Sequence, residues 1–276
     1  MSVEIYYFSG TGNSLHIAKE LQRRIPDTKL VPILNTGQDQ ISTNAKTVGF
    51  IFPQYASALP KVYMKFLKRL SLDSNQYLFA VATRGGTGCM AFVEVDKILS
   101  KQGRRLDSFF VITMPSGSAA LMKDWSSQIN EEKIAALESD AQSKLDYISQ
   151  IITEKQQHRD EDLSMSTPPP AFIKPFIPVI NKLIPVLLPL GKIVETKFEF
   201  YTDDKCDGCS LCKKICLADR IEMSNNAPVW SKEKNCYACF ACFNYCPREA
   251  IQIKSKPYLK SFTEQNGKYH QSQRMK

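Results

Sequence analysis

Along residues 1–156 short apolar runs alternate with amphipathic stretches. The runs at 3–8, 29–34, 47–52, 77–82 and 109–114 predict β-strands, and four of them are apolar at both odd and even positions, as strands buried on two faces must be. Between them, 13–24, 60–70, 90–101 and 130–154 predict helices. In the last of these, Ile134, Leu137, Ala141, Leu145, Ile148 and Ile152 recur at steps of three and four and line one face. Strands alternating with helices in this way predict a parallel sheet covered by helices.

The pattern changes after residue 156. Residues 157–167 are polar, Pro168, Pro169 and Pro170 follow, and 171–194 is apolar but broken by prolines and by Lys174, Asn181, Lys182 and Lys192. No run approaches the roughly 20 apolar residues that span a bilayer, so no transmembrane segment is expected. Residues 157–196 read as a Pro-rich linker whose Ile177, Ile180, Leu183, Ile184, Leu187 and Leu188 pack between domains, with a partner-docking or membrane-surface role as the alternative. A repeat follows: CDGCSLCKKIC from Cys206 to Cys216 returns 30 residues later as CYACFACFNYC from Cys236 to Cys246, and Ile221 recurs as Ile251. Each copy is preceded by a β-like stretch, at 198–202 and 228–230.

Composition narrows the class. With 276 residues, 43% hydrophobic and 23% charged, the chain is globular and long enough for two domains, not disordered or coiled-coil. Residues 1–8 lack a basic region followed by a long apolar stretch, so no signal peptide is expected and the expected location is cytoplasmic. Eight of the nine cysteines fall within 206–246, and in a reducing compartment such a cluster calls for metal rather than disulfides. The net charge of +8 is uneven: the tail, with Lys254, Lys256, Lys260, Lys268, Arg274 and Lys276, supplies the excess of the last third. That placement fits a solvated end or a partner-docking strip, and no nucleic-acid partner is expected.

Two copies of C-x2-C-x2-C-x3-C resemble the two-cluster [4Fe-4S] ferredoxins of bacterial type. The resemblance implies one cluster on Cys206, Cys209, Cys212 and Cys246, and another on Cys236, Cys239, Cys242 and Cys216. Paired zinc sites, the alternative, call for two pairs of cysteines with a longer spacer and no third cysteine at the same short interval. Pro247 follows Cys246 as that family has it, whereas Leu217 follows Cys216, a change that loosens shielding there without removing a ligand. Tyr237, Phe240, Phe243 and Tyr245 are expected to cover the second motif.

At the other end, the strand at 3–8 runs into Ser9, Gly10, Thr11, Gly12, Asn13 and Ser14 and then a helix, an arrangement of hydroxyls and backbone N–H groups that cradles anions. It resembles the phosphate loop of flavodoxins, which implies bound FMN. Pro53, Gln54, Tyr55 and Ala56 resemble the second flavin loop of that family, and Thr83, Arg84, Gly85, Gly86 and Gly88 belong to the third. Tyr55 is expected against the flavin ring, and the third loop has no aromatic to cover the other face, leaving it open to a partner or substrate. A rival reading, a dinucleotide turn at Gly86, Gly88 and Ala91, lacks the expected acid after the next strand. Arg84 reads as a solvated cation or an anion contact, and Cys89 as packing or as a thiol activated at a helix start. His16, His158 and His270 belong to no catalytic motif.

Together these resemblances imply a fused flavodoxin-ferredoxin protein of the kind found in anaerobes. The expected fold is an α/β doubly wound flavodoxin-like parallel sheet at 1–156, the linker at 157–196, a small α+β two-[4Fe-4S] ferredoxin domain at 197–256, and a basic tail at 257–276. The expected function is electron transfer between two clusters and FMN, with redox partner proteins such as a ferredoxin or a reductase. An FMN-dependent reductase of a small acceptor and an electron-delivering docking subunit of a larger complex stand as alternatives, and a homodimer is left open.

Overall fold

The computed structural model describes residues 2–55, 57–86, 88–115, 131–160 and 198–254. Its first part runs β1 (Val3–Tyr7), α1 (Asn13–Arg24), β2 (Thr28–Pro32), a short β3 (Ile41–Ser42), β4 (Thr47–Pro53), α2 (Lys61–Leu67), a short β5 (Leu70–Ser71) and β6 (Tyr77–Arg84). It continues with α3 (Ala91–Leu99), β7 (Ser108–Thr113), α4 (Glu131–Thr153) and β8 (His158–Arg159). The elements expected from the hydrophobic pattern are all present. The expected second strand stops at Pro32 and turns into a single 3-10 turn, Ile33–Asn35, because proline offers no N–H to continue the ladder.

The main sheet has the order β2-β1-β4-β6-β7-β8 and is parallel throughout. Among its five long strands the chain order is therefore 2-1-3-4-5, the flavodoxin-like doubly wound arrangement, with the winding reversing between β1 and β4. Alternation of side chains explains why these strands are apolar at every position. On β4 and β6, Val48, Phe50, Phe52, Leu78, Ala80 and Ala82 face α2 and α3, while Ile51, Phe79 and Val81 face α1 and α4. Burying each large side chain contributes about 1.5–3 kcal/mol. Gly49 on β4 makes room for one of them: a Cβ there would lie 2.3 Å from Phe79 Cζ.

His158–Arg159 lies within the stretch expected to be linker, yet it pairs with β7 as the sixth strand. Asp160 follows, accepting from Val111 N at 2.7 Å and from Lys144 Nζ at 2.6 Å. The rest of the expected linker from 161, the segment 116–130 and the basic tail lie outside the described residues.

The second part contains β9 (Glu199–Thr202), α5 (Leu211–Ile215), β10 (Ile221–Ser224), β11 (Ala227–Trp230), α6 (Ala241–Asn244) and β12 (Ile251–Lys254). Two antiparallel ribbons, β9 with β12 and β10 with β11, enclose a small core of Phe200, Ile221, Phe240, Phe243, Ile251 and Ile253. The duplication seen in the sequence extends to the backbone. Gly208 and Ala238, Ser210 and Phe240, and Asp219 and Glu249 are pairs 30 residues apart, and all six have φ between 48° and 72°. Left-handed backbone at non-glycine residues carries strain of about 1–3 kcal/mol each. Its repetition at matching positions shows that both copies bend their cysteine loops in the same way. Among the described residues no helix is long and apolar enough to cross a membrane.

Candidate functional site

The loops after β1, β4 and β6 emerge at the carboxyl ends of neighbouring strands, beside the point where the winding reverses. There Gly12, at φ 111°, begins α1 and donates its N–H to Ser9 Oγ at 3.1 Å. Ser14 Oγ and Thr83 Oγ1 share a 2.8 Å hydrogen bond, Asn13 Nδ2 donates to Pro115 O at 2.7 Å, and Gln54 Nε2 donates to Gly88 O at 3.0 Å. These bonds tie the three loops to one another and to the end of β7.

They enclose a cleft of about 470 Å³, counted to its open mouth, lined by Ser9, Gly10, Thr11, Asn13, Ser14, Pro53, Gln54, Tyr55, Thr83, Arg84 and Gly85. Gly12, Gly86 and Gly88 shape the loops behind this lining, and Ala56 lies outside the described residues. Hydroxyls, an amide and backbone N–H groups at the start of a 12-residue helix suit a phosphate group. The donor set fits FMN in its chemistry.

Two expectations for the neighbouring residues resolve clearly. Arg84 is not a solvated cation: it is 7% exposed, and its Nε donates to Thr113 Oγ1 at 3.2 Å. It also lines a second cavity, of about 630 Å³ including its mouth, with Val111, Thr113, Asp140, Lys144 and Asp160. Cys89 is fully buried, and that burial pushes its thiol up to about 12, so it packs the core instead of acting as a nucleophile.

The eight clustered cysteines form two groups. Cys206, Cys209, Cys212 and Cys246 line one hollow of about 320 Å³, mouth included, together with Gly208, Met223, Pro228 and Pro247. Burial, then the neighbouring Cys209, Cys246 and Cys206, push the Cys212 thiol up to about 11. In the other group, burial followed by Cys236 and Cys216 among its neighbours pushes Cys239 up to about 12, and the same surroundings raise Cys242 well above its ordinary value. The fourth member of each group thus comes from the other motif. Charged thiolates crowded into apolar surroundings are unfavourable without a compensating cation, which both groups could receive from a cluster. Among the described residues no three Cys, His, Asp or Glu side chains converge as a single metal ion requires. Four thiolates in each group are a donor set that suits an iron-sulfur cluster in its chemistry.

Backbone geometry supplies hydrogen bonds to sulfur in both groups. Arg220 N donates to Cys216 Sγ at 3.3 Å, Ala250 N to Cys246 Sγ at 3.4 Å, and Ala238 N to Cys236 Sγ at 3.3 Å.

The second motif also closes the cleft formed by the three loops. Cys239 and Phe240 complete its lining. Tyr245 Oη donates to Thr11 O at 3.0 Å, and Tyr237 meets Phe8 edge-on with ring centroids 6.0 Å apart. Phe240, Phe243 and Tyr245 cover the cysteines as expected, Tyr245 packing with Cys239, and Tyr237 and Tyr245 also reach across to the α/β part. A Cβ placed on Gly10 would lie 2.5 Å from Cys239 Cβ and 2.9 Å from Tyr55 Oη, so the phosphate loop, Tyr55 and the second motif meet at one spot. The sequence leads one to expect the second domain near a flavin loop, held by linker residues that lie outside the described ones, but singles out neither Gly10 nor Cys239 as the point of contact. The signal that could have found it is Gly10, since the loop needs no positive φ there.

No protein-family model matches the chain. A 53-residue stretch in the C-terminal part, 18% of the chain, is 36% identical to a ferredoxin from Methanothermococcus thermolithotrophicus and spans 88% of that protein. Among solved structures, the α/β part is similar to an FMN-dependent NADH-azoreductase from Bacillus anthracis, with 6% identity over 54% of this chain and 98% of that chain and a TM-score of 0.39. It is also similar to rubredoxin oxygen:oxidoreductase from Desulfovibrio gigas, with 15% identity over 56% of this chain and 36% of that chain and a TM-score of 0.35. At these scores the two likenesses add nothing to what the strand order itself shows.

Proposed function

The chain belongs to the ferredoxin family through its C-terminal part, fused behind a flavodoxin-like domain, and from that premise we propose that it is an electron-transfer protein carrying two [4Fe-4S] clusters and FMN. The observation that carries this reading is the contact of the second cysteine motif with the phosphate loop, through Cys239 at Gly10 and Tyr245 at Thr11. When bound, FMN holds one or two electrons whereas each cluster passes one, so the fusion gathers or divides electron pairs. Cys206, Cys209, Cys212 and Cys246 hold one cluster, and Cys216, Cys236, Cys239 and Cys242 the other. Ser9, Thr11, Asn13 and Ser14 hold the FMN phosphate, and Tyr55 with Cys239 and Phe240 walls the cleft away from water. The domains run from 1 to about Asp160 and from about 197 to 256, joined by the apolar linker.

The test is anaerobic reconstitution of the full chain with iron, sulfide and FMN, followed by their quantification. About eight irons, eight sulfides and one FMN per chain are expected. Four or fewer irons would sink the assignment. A second reading, reduction of a small acceptor at the flavin, is favoured by Arg84, which lines both the cleft and the 630 Å³ cavity beside it. An anaerobic screen separates them: a carrier exchanges electrons only with redox proteins, whereas a reductase converts a small molecule stoichiometrically.

A further inference from the structure

The duplicated cysteine unit is symmetric in its backbone and asymmetric in its charge. Four residues after the last cysteine of each motif, the backbone N–H donates to that cysteine: Arg220 N to Cys216 Sγ, and Ala250 N to Cys246 Sγ. The side chains at these equivalent positions differ, arginine in one copy and alanine in the other. Arg220 Nε donates to Ser231 O at 2.6 Å, just beyond β11, and its positive charge lies near enough to Cys236 to favour the thiolate there. Its Nη1 is buried with no partner in the protein, as is Trp230 Nε1. Trp230 packs in the same apolar core as Cys216 and Cys236. Two buried donors without acceptors, beside one cysteine group, are costly unless a bound group supplies the acceptors.

The first group has no such cation at the matching position. Arg248, near Cys209, lies in solvent and is paired with Asp207 at 2.7 Å, so its charge is offset and screened. The group bearing Arg220 is also the one that meets the flavin cleft, through Cys239.

We propose that Arg220 makes the two clusters unequal, raising the reduction potential of the one on Cys216, Cys236, Cys239 and Cys242 above that of its twin. A reduced cluster carries one more negative charge than the oxidised one, and a fixed cation with N–H donors at its sulfurs stabilises that extra charge. An electron from an external one-electron donor of the ferredoxin class would come to rest on the Arg220 side whichever cluster took it up, its twin being reoxidised if it entered there. That places the electron against the flavin cleft. The inference rests on the reading of both cysteine groups as [4Fe-4S] sites.

The test uses the full chain, reconstituted anaerobically, as parent, Arg220→Gln, Arg220→Lys and Ala250→Arg. Iron and sulfide are quantified first, and each cluster is then followed by electron paramagnetic resonance through a redox titration. Cys209→Ser and Cys239→Ser identify which signal belongs to which group. In the parent, the Cys239 group should reduce first. Arg220→Gln should lower its reduction equilibrium about tenfold or more, the effect expected of losing a charge-assisted hydrogen bond, with the twin unmoved. Arg220→Lys should retain part of the difference. Unchanged titrations in Arg220→Gln at full iron content would overturn the proposal, as would a shift confined to the Cys209 group. Should Arg220→Gln fail to hold iron, Ala250→Arg decides: it should raise the equilibrium of the Cys209 group, and no change there at full iron content counts against the idea. Fewer than two clusters in the parent would instead remove the reading on which the inference rests.

Discussion

Replacing Gly10 with Ala drives a methyl group into the narrowest contact between the phosphate loop and the second cysteine motif. The new Cβ would lie 2.5 Å from Cys239 Cβ, 2.9 Å from Tyr55 Oη and 3.1 Å from Cys239 O. Ordinary contact begins at 3.4 Å, so Cys239 and Gly10 must part by about 0.9 Å. Tyr55 Oη is the far end of a side chain and can swing aside. Cys239 Cβ is one bond from the backbone, so only movement of a whole loop relieves it. Overpacking of this kind costs about 1–3 kcal/mol. Holding the two parts together are the Tyr245–Thr11 hydrogen bond, which contributes about 0.5–1.5 kcal/mol, the Tyr237–Phe8 ring pair, which contributes a similar amount, and Leu217, buried in the core cluster of the α/β part, which contributes about 1.5–3 kcal/mol. The overpacking cost is of the same order as any one of these contacts but smaller than their total, so the substitution should loosen the loop contact while each domain stays folded. Hydrogen–deuterium exchange on the full chain reads this directly. Exchange should rise roughly tenfold, about 1.4 kcal/mol, at 9–13 and 237–245, with β4 and β6 as protected as in the parent. Parent-like exchange in both loops would refute the docking argument, and a rise shared by β4 and β6 would show that the methyl acts on the sheet instead.

Tyr245→Phe removes the same hydrogen bond without a wedge and should raise exchange in those loops only a few-fold, in the same assay. Cys239→Ala should remove about four of about eight irons, measured after reconstitution, unless the crossed fourth ligands make both clusters assemble together. On the proposed assignment of the phosphate site to the loop after β1, FMN should bind distinctly more tightly than riboflavin by fluorescence titration, and Thr11→Val should narrow that gap; equal affinities would move the phosphate site elsewhere. Asp160 tests where the first domain ends. Burial works against its ionisation, but Lys144, the Val111 N–H and His158 outweigh it and hold the carboxyl below its ordinary range. Its contribution is therefore present above the unfolded carboxyl value near about 4 and is lost as pH falls through the lower folded value. Asp160→Asn should lower the melting temperature at pH 7 and flatten that acid limb; an unchanged melt would detach 157–160 from the domain.

Hydrophobic patterning alone carried most of the α/β part. Phe50, Ile51 and Phe52 are apolar in succession because β4 is covered on both faces, and the run of Leu145, Ile148 and Ile152 is a helix stripe because α4 covers one of them. Local period and two-sided burial leave their mark residue by residue, which is why the long strands and helices were legible. The cysteine spacing and the 30-residue repeat were legible because three thiols of each group lie on one short loop, while the crossed fourth was expected only from the resemblance to two-cluster ferredoxins.

What escaped the sequence was which residues meet where distant segments come together. His158–Arg159 is two residues long and polar, and it becomes a strand only against the free edge of β7, with His158 stacked on Phe110 and Arg159 donating to Leu106 O. Tyr245 and Tyr237 resemble cover for their own motif until the fold sets them against Thr11 and Phe8, more than 200 residues away. Arg220 is one basic residue among many until the hairpin of β10 and β11 turns it back on Cys236. Sequence fixes what each segment can bury and which atoms it can offer to a metal or a phosphate. Which of those surfaces meet is decided by packing over the whole chain, where one glycine without a side chain admits a cysteine loop and one arginine breaks the symmetry of a repeat.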